Sequence, residues 1–424
     1  MSRGALWPSL ITHDLHGHED LCMASAHGVR VKTAAGVELL DGSSGLWNVN
    51  LGYGNEVIAD AIGRAARDAS YLSVFRYENT YARAAAEALR RVAGPSAFSR
   101  VIFSTAGGAA NDLSMKLARQ FHALDGRPQR NLIAALDGSF HGLTFGGFAL
   151  TGEDLGQQIY GVDQRLIRHV APNDGEALTA LMRRQGDRIA AMVVEPMLGS
   201  GAVALTEEYI ATLLDLREQY GFLLVADEVA TGFWRTGTYF ASQRWPEPPD
   251  LLVTSKGLTN GTSAGSAVLV AGHVDERFDS PGGLLSHGET QAGTPITCAA
   301  ICATIDEVER LAIADRVPVL AAGLDAAIDA LSRDTGWVRA SVGPAAFRAV
   351  ALSDPRSGEP LDQRDVAAVV ASIRAEGAIV HPGISGVQLV PALVYTDADL
   401  DALFACITRG LERFAVTAAV REAG

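Results

Sequence analysis

The chain of 424 residues carries 49 acidic against 35 basic side chains, and its net charge of −14 excludes nucleic acid or an anionic membrane surface as the main partner. A hydrophobic share of 48% beside 20% charged residues describes a globular protein, and the length calls for two or more subdomains. No apolar run is long enough to span a bilayer, and MSRGALWPSLITHDLHGHED lacks an apolar core followed by a small-residue cleavage site, so a cytoplasmic location is expected.

Residues 28–55, GVRVKTAAGVELLDGSSGLWNVNLGYGN, predict two short strands around a turn at Ala35-Gly36, then a glycine-rich irregular stretch. Leu46-Trp47 lies in that stretch, where a tryptophan is either core or the wall of a substrate pocket. Helical patterns follow at 57–68 and 81–92. Alternation then begins, with strands at 101–104, 132–136, 192–195, 222–226, 251–253 and 267–270 and helices at 109–124, 175–185 and 207–220. Strands alternating with helices imply parallel βα units covered on both faces. After a long helix near 295–311 the pattern changes to strands at 347–352 and 387–393. A last helix is capped by Thr396-Asp397, with Leu400, Leu403, Phe404, Ile407 and Leu411 on its inner side. That is a second, smaller α+β unit.

Two strand ends stand out. The apolar run 222–226 stops abruptly at Asp227-Glu228, and 251–253 runs into Thr254-Ser255-Lys256-Gly257. In open α/β sheets the carboxyl ends of the strands are where ligands bind. A lysine there can bond a carbonyl cofactor, and a carboxylate can keep a pyridine nitrogen protonated, which are the two protein groups that pyridoxal phosphate (PLP) chemistry requires. Taken singly, each is equally a solvated strand-end residue or half of an ion pair.

Other stretches carry weaker signals. STAGGAAND (104–112) joins a strand to a helix through Ala106-Gly107-Gly108, where free helix amides can hold a phosphate. SFHGLTFGG (139–147) puts Phe140 past a strand, as core or as a stacking platform. MVVEP (192–196) ends a strand in a carboxylate and is followed by LGSGA (198–202). In HGETQAGTP (287–295), Thr290 serves either a phosphate or a helix cap. Cys22, Cys298, Cys302 and Cys406 are too few and scattered for a disulfide framework and complete no metal set, so no metal is expected.

The ordered set FSTAGGAANDLSMKLAR, SFHG, VVEP, GFLLVADEVATGFWRTGTYFA, PDLLVTSKGL and HGETQAGTP resembles the class-III PLP-dependent aminotransferases, a group that includes ornithine, 4-aminobutyrate, diaminopelargonate and ω-amine enzymes. The resemblance runs from residue 28 to the last helix. It implies the α/β architecture of fold type I: a large domain (61–315) with a mostly parallel, seven-stranded-type sheet, and a small α+β domain built from 1–60 and 316–424. It implies pyridoxal 5'-phosphate as cofactor, a ping-pong exchange with an amino donor, and a homodimer with shared sites. By the same resemblance Lys256 carries the cofactor and moves the proton, and Asp227 pairs with the ring nitrogen. Val229 and Phe140 lie against the two ring faces, and Gly107 and Gly108 form the phosphate cup. Thr290 reaches the phosphate of the neighbouring subunit. Trp47, Gly288 and Gln388 match positions that line the substrate pocket.

Several matched positions depart from the family pattern. Asn-Ser before the cup is Thr105-Ala106, the following glutamate is Ala109, and the glutamine after Asp-Glu-Val is Ala230. EPxQGExG becomes EPMLGSG, so the second glutamate is Ser200. The arginine that binds a substrate α-carboxylate falls on Gln388 in GVQLVPALVY, and a neutral amide cannot replace a bidentate guanidinium. The expected substrate therefore presents no α-carboxylate: an amine, an amino alcohol, an aminoketone, or a carbonyl on a peptide or carrier protein. Arg76 and Arg235 are the candidates for a substitute, and Arg235 sits in a GFxRTG string that reads as structural. An aminomutase, a PLP-dependent decarboxylase and a catalytically silent partner protein are the rival expectations.

Overall fold

A computed structural model describes residues 4–423, with side chains described to residue 417. The chain divides into two compact units. One comprises Glu56–Val317 with Gly343–Ala345, and the other takes the chain up to Asn55, Pro318–Val342 and the chain from Ala346 onward.

The larger unit is built on a seven-stranded sheet: β1 (Phe98–Ser104), β2 (Leu132–Leu136), β3 (Ile167–Val170), β4 (Ile189–Val194), β5 (Leu223–Asp227), β6 (Leu251–Thr254) and β7 (Ser266–Ala271). The strand order is β1-β7-β6-β5-β4-β2-β3. From β6 to β3 neighbours run parallel, and β7 is antiparallel to both β6 and β1. Every residue of LIAAL in β2, IAAMVV in β4 and LLVAD in β5 is buried, the sign of strands covered on both faces.

Successive side chains of a strand point to opposite faces, so each strand feeds two cores. Ile133, Val193 and Val225 pack with Leu113, Leu117 and Phe121 of helix α1 (Gly107–Leu124). Leu132, Met192 and Leu224 pack with Leu178 and Met182 of α2 (Gly175–Gln185) and Leu213 of α3 (Glu207–Tyr220). Full burial of each such side chain stabilises by about 1.5–3 kcal/mol. Helix α3 is closed at both ends by its sequence. Thr206 Oγ1 accepts from Tyr209 N, and Gly221 takes the left-handed conformation (φ 67°) that ends the helix and starts β5. That hand-over fixes where β5 begins, and hence that it ends on Asp227.

The smaller unit holds two four-stranded sheets. One joins Met23–His27, Arg30–Thr33, Glu38–Asp41 and Ala378–Ile379, and the other joins Val338–Val342, Arg348–Leu352, Gly386–Leu389 and His381–Pro382. The expected strand at 387–393 is cut short at Leu389. Beyond it Val390 N donates to Gly42 O and Leu393 N to Asn50 O, and Pro391 has no N–H for a ladder. The last helix, Asp397–Ala423, buries Leu400, Leu403, Phe404, Ile407 and Leu411, and Thr396 Oγ1 accepts from Asp399 N at its start. Among the described residues no helix is long and apolar enough to cross a membrane.

Candidate active site

Adjacent parallel strands deliver the acid and the amine. Asp227, the last residue of β5, is in register with Val253 of β6, three residues before Lys256. Glu228 N donates to Val253 O and turns the chain away from the strand end. Asp227 is buried, and its Oδ2 accepts from Asn111 Nδ2 and from His141 Nδ1, each at 2.7 Å, while Oδ1 accepts from Val229 N at 3.1 Å. Two side chains and one amide thus fix the carboxylate plane. Burial alone would hold His141 neutral, but the hydrogen bond and charge of Asp227, with Glu195, raise its pKa above the usual histidine value. For Lys256 burial wins, and its pKa is lowered despite the charges of Glu195 and Asp227. Lys256 also adopts a positive φ of 45°, a conformation that costs a non-glycine residue on the order of 1–3 kcal/mol and clusters at functional sites.

Facing this pair is the start of α1, an 18-residue helix whose first two residues are Gly107 and Gly108. Its leading amides have no partner within the helix and form an anion site. A Cβ on Gly107 would lie 3.1 Å from both Val229 methyls, and one on Gly108 would lie 3.2 Å from Thr144 Oγ1. Gly142, at φ 116°, passes so close that its Cβ would lie 2.6 Å from Gly108 Cα. The backbone of the 139–147 loop therefore runs against the glycine turn. Just before the turn, the carboxylate of Glu289 accepts from Ser104 Oγ, Thr105 Oγ1 and Thr105 N. Burial opposes that charge, and the Ser104 and Thr105 donors outweigh it, so the Glu289 carboxyl is held below its usual pKa.

A third strand end supplies Glu195. Its buried carboxylate accepts from Phe140 N at 2.9 Å and Gly199 N at 3.0 Å, tying the loops after β2 and β4 together. Burial raises its pKa to about 7, with Asp227 adding to the rise and His141 and the two amides opposing it. The Phe140 ring stays 40% exposed on this rim. The same two loops are bridged again by Glu153, whose carboxylate accepts from Ser200 Oγ and whose N–H donates to Ser139 O.

Of the residues singled out in the sequence, Gly107, Gly108, Phe140, Asp227, Val229 and Lys256 are gathered at the strand ends of the larger unit by these contacts. Gly288 packs under Phe75, whose ring a Cβ there would meet at 2.5 Å. Thr290 is exposed, its carbonyl accepting from Tyr71 Oη, and Glu289 rather than Thr290 reaches the residues before the chain's own cup. Arg235 is wholly buried, whereas Arg76 is exposed on a cavity of about 1210 Å³ that Phe75, Tyr77, Lys116 and His287 also line. In the smaller unit, Trp47 stacks edgewise on Phe347 and His381, and Gln388 is buried between Ala349 and His381 in its sheet. Sequence reasoning gave no role to Asn111, His141, Glu153 or Glu289. Only Asn111 had a legible signal, lying one helical turn beyond Gly107 and so on the same face.

A lysine and a doubly braced carboxylate ending adjacent strands of a seven-stranded, mostly parallel sheet, beside a glycine-led helix N-terminus, define a fold type I PLP-dependent enzyme. Residues 13–411 match the family profile described as Aminotransferase class-III, and the chain belongs to that family. It is 31% identical over 414 residues to an acetylornithine aminotransferase of Mycobacterium tuberculosis, covering 96% of this chain and 95% of that protein. It is 31% identical over 310 residues to an omega-aminotransferase of Caulobacter vibrioides, covering 67% of this chain and 70% of that protein. Among solved structures, an amine transaminase from an uncultivated Pseudomonas species in its PLP-bound form superposes with a TM-score of 0.90 at 26% identity, covering 97% of this chain and 99% of that one. The chain is thus a class-III aminotransferase and its cofactor is pyridoxal 5'-phosphate. The residues present fit that group: an amine, a fixed carboxylate, and a turn that side chains would crowd.

Proposed function

We propose that this aminotransferase exchanges an amino group between a donor and a carbonyl acceptor on a substrate that presents no α-carboxylate to the pocket. An amine, an amino alcohol, an aminoketone, or a carbonyl borne on a peptide or carrier protein meets that description. The observation that supports it is Gln388, a buried neutral amide at the sequence position where the related enzymes carry their carboxylate-binding arginine. Arg235, wholly buried, is not available to a substrate, which leaves Arg76 as the one arginine to test as a substitute.

The cofactor, when bound, supplies a carbonyl that takes up the amino group and a ring that receives the electron pair released at the substrate carbon. Lys256 would hold it through the side-chain amine, Gly107 and Gly108 would receive its phosphate on backbone N–H groups, and Asp227 would keep its ring nitrogen protonated. Val229 and Phe140 would line the two ring faces. Lys256 Nζ is the acid–base group that takes the proton from the substrate carbon and returns it. Its burial favours the neutral amine that this role needs. Asn111 and His141 hold Asp227 Oδ2 in one orientation, so the partner of the ring nitrogen does not reorient during turnover. Thr290 would serve the phosphate of a neighbouring subunit, which makes the working form a homodimer, and a cytoplasmic location accords with the acidic composition.

The test is a half-reaction screen on the PLP-loaded protein, following loss of the cofactor's visible band as single amines and α-amino acids are added. Fast conversion by simple amines or amino alcohols, with slow conversion by glutamate and alanine, is the expected result. Fast conversion by glutamate or alanine that Arg76→Ala abolishes would refute the reading.

A further inference from the structure

Position 200, where the family pattern has a glutamate, holds Ser200 here, yet a carboxylate from another segment reaches that residue. Glu153, on the segment after β2, accepts a hydrogen bond from Ser200 Oγ. The backbone leaves little freedom in where it emerges. A Cβ on Gly152 would lie 2.1 Å from Leu136 O at the end of β2, so this segment hugs the strand terminus, and Gly152 N and Glu153 N both donate to Ser139 O. The carbonyl of Glu153 is itself held by Gln157 Nε2 at 2.6 Å.

Glu153 therefore bridges Ser139 and Ser200, each one residue from a Glu195 contact, Phe140 on one loop and Gly199 on the other. Glu195 closes the bridge where it is buried, and Glu153 closes it where it is half-exposed, held to the carbonyl of Ser139, the residue before Phe140. Among the described residues no lysine, arginine or histidine pairs with Glu153. Its only side-chain donor is one hydroxyl, which leaves acceptor capacity on a fixed, half-buried carboxylate. Such a group keeps acceptor positions that water fills, and an arriving ammonium can take them with a charge-assisted hydrogen bond.

We infer that Glu153 is a specificity-determining residue that binds a second ammonium group on the substrate, a few carbons from the amine that reacts, so that the preferred substrates are diamines or amines carrying a distal basic group. The inference rests on the proposed placement of Phe140 and Lys256 in the active site and on a pocket blind to the α-carboxylate.

The experiment compares α,ω-diamines with monoamines of the same chain length, 1,4-diaminobutane against butylamine and 1,5-diaminopentane against pentylamine, in half-reactions of the PLP-loaded enzyme. The wild type is expected to favour the diamine by tenfold or more in kcat/KM, mostly through KM, with the preference falling as salt is raised. Glu153→Gln, close in shape, is expected to remove most of the preference, since a neutral amide keeps the Ser200 contact and loses the charge. Ser200→Ala, which frees the carboxylate without removing it, is expected to weaken the preference by less than Glu153→Gln does. Equal rates for diamine and monoamine, or a preference that survives Glu153→Gln, would overturn this inference and leave the preceding proposal standing. Fast conversion by glutamate and alanine, with neither amine reacting, would overturn both.

Discussion

Glu195 offers a stability measurement that probes the site without turnover. It is only 4% exposed, and burial raises its pKa from 4.5 to about 7. A folded-state pKa above the unfolded value means that the folded chain binds the proton more tightly. The resulting stabilisation is fully present below the unfolded pKa and is lost as pH rises through the folded one. The rise from 4.5 to about 7, at about 1.4 kcal/mol per pH unit, gives about 3.5 kcal/mol lost between pH 4.5 and 7.5, and nothing further above that. Glu195→Gln cannot ionise, so the stability of wild type relative to the variant should fall by about 3.5 kcal/mol across the same window. Urea unfolding of the cofactor-free protein at half-unit pH steps measures it, with the two proteins compared at each pH so that titrating groups remote from Glu195 cancel. A gap that changes by less than 1 kcal/mol would show that Glu195 titrates in the ordinary carboxylate range, and the burial reasoning would fail.

Three further substitutions test the site, and a fourth serves as a control. Lys32, Lys116 and Lys256 are the only lysines of the chain, so borohydride reduction followed by mass spectrometry should find the cofactor attached in wild type and absent in Lys256→Ala; attachment at another lysine would reassign the site. Asp227→Asn keeps the shape but not the charge, and kcat should fall by about two to four orders of magnitude, the range for losing a positioned acid–base partner; a value within tenfold of wild type would remove Asp227 from the chemistry. Gly142→Ala combines a positive φ with a contact to Gly108 Cα and should cost about 2–5 kcal/mol, while Gly36→Ala, at φ 87° with open space around it, should cost about 1; equal urea midpoints for the two would refute the packing account.

What the sequence disclosed follows from how far each signal reaches along the chain. Buried parallel strands announce themselves as unbroken apolar runs, so β2, β5 and β6 were legible to within a residue, as were the spans of α2 and α3. The edge strand β3, IRHV, has two half-exposed residues and no such run, and Met23–His27 is exposed at every position, so neither was anticipated. Helix Ile313–Thr335 was not anticipated because Pro318 reads as a breaker, although Ile313, Val317, Leu320, Leu324, Ile328 and Leu331 recur at helical spacing and are buried. Within the site, residues that end a strand or open a helix could be placed from local pattern. The bonds from His141 to Asp227, Glu153 to Ser200 and Glu289 to Ser104 join residues 86, 47 and 185 positions apart, and no spacing rule encodes such pairs.

Glu289 draws two segments into one mechanical piece. Its three hydrogen bonds fasten the 287–295 loop to Ser104 and Thr105, the last residues before the phosphate turn, and its neighbour in the loop is Thr290. Ordering the turn around an anion then also orders the loop that presents Thr290, so the two share a single entropic cost. In the proposed homodimer, whose Thr290 residues would cross between subunits, the first cofactor to bind would meet part of that cost for the second, and loading would follow a curve steeper than that of independent sites.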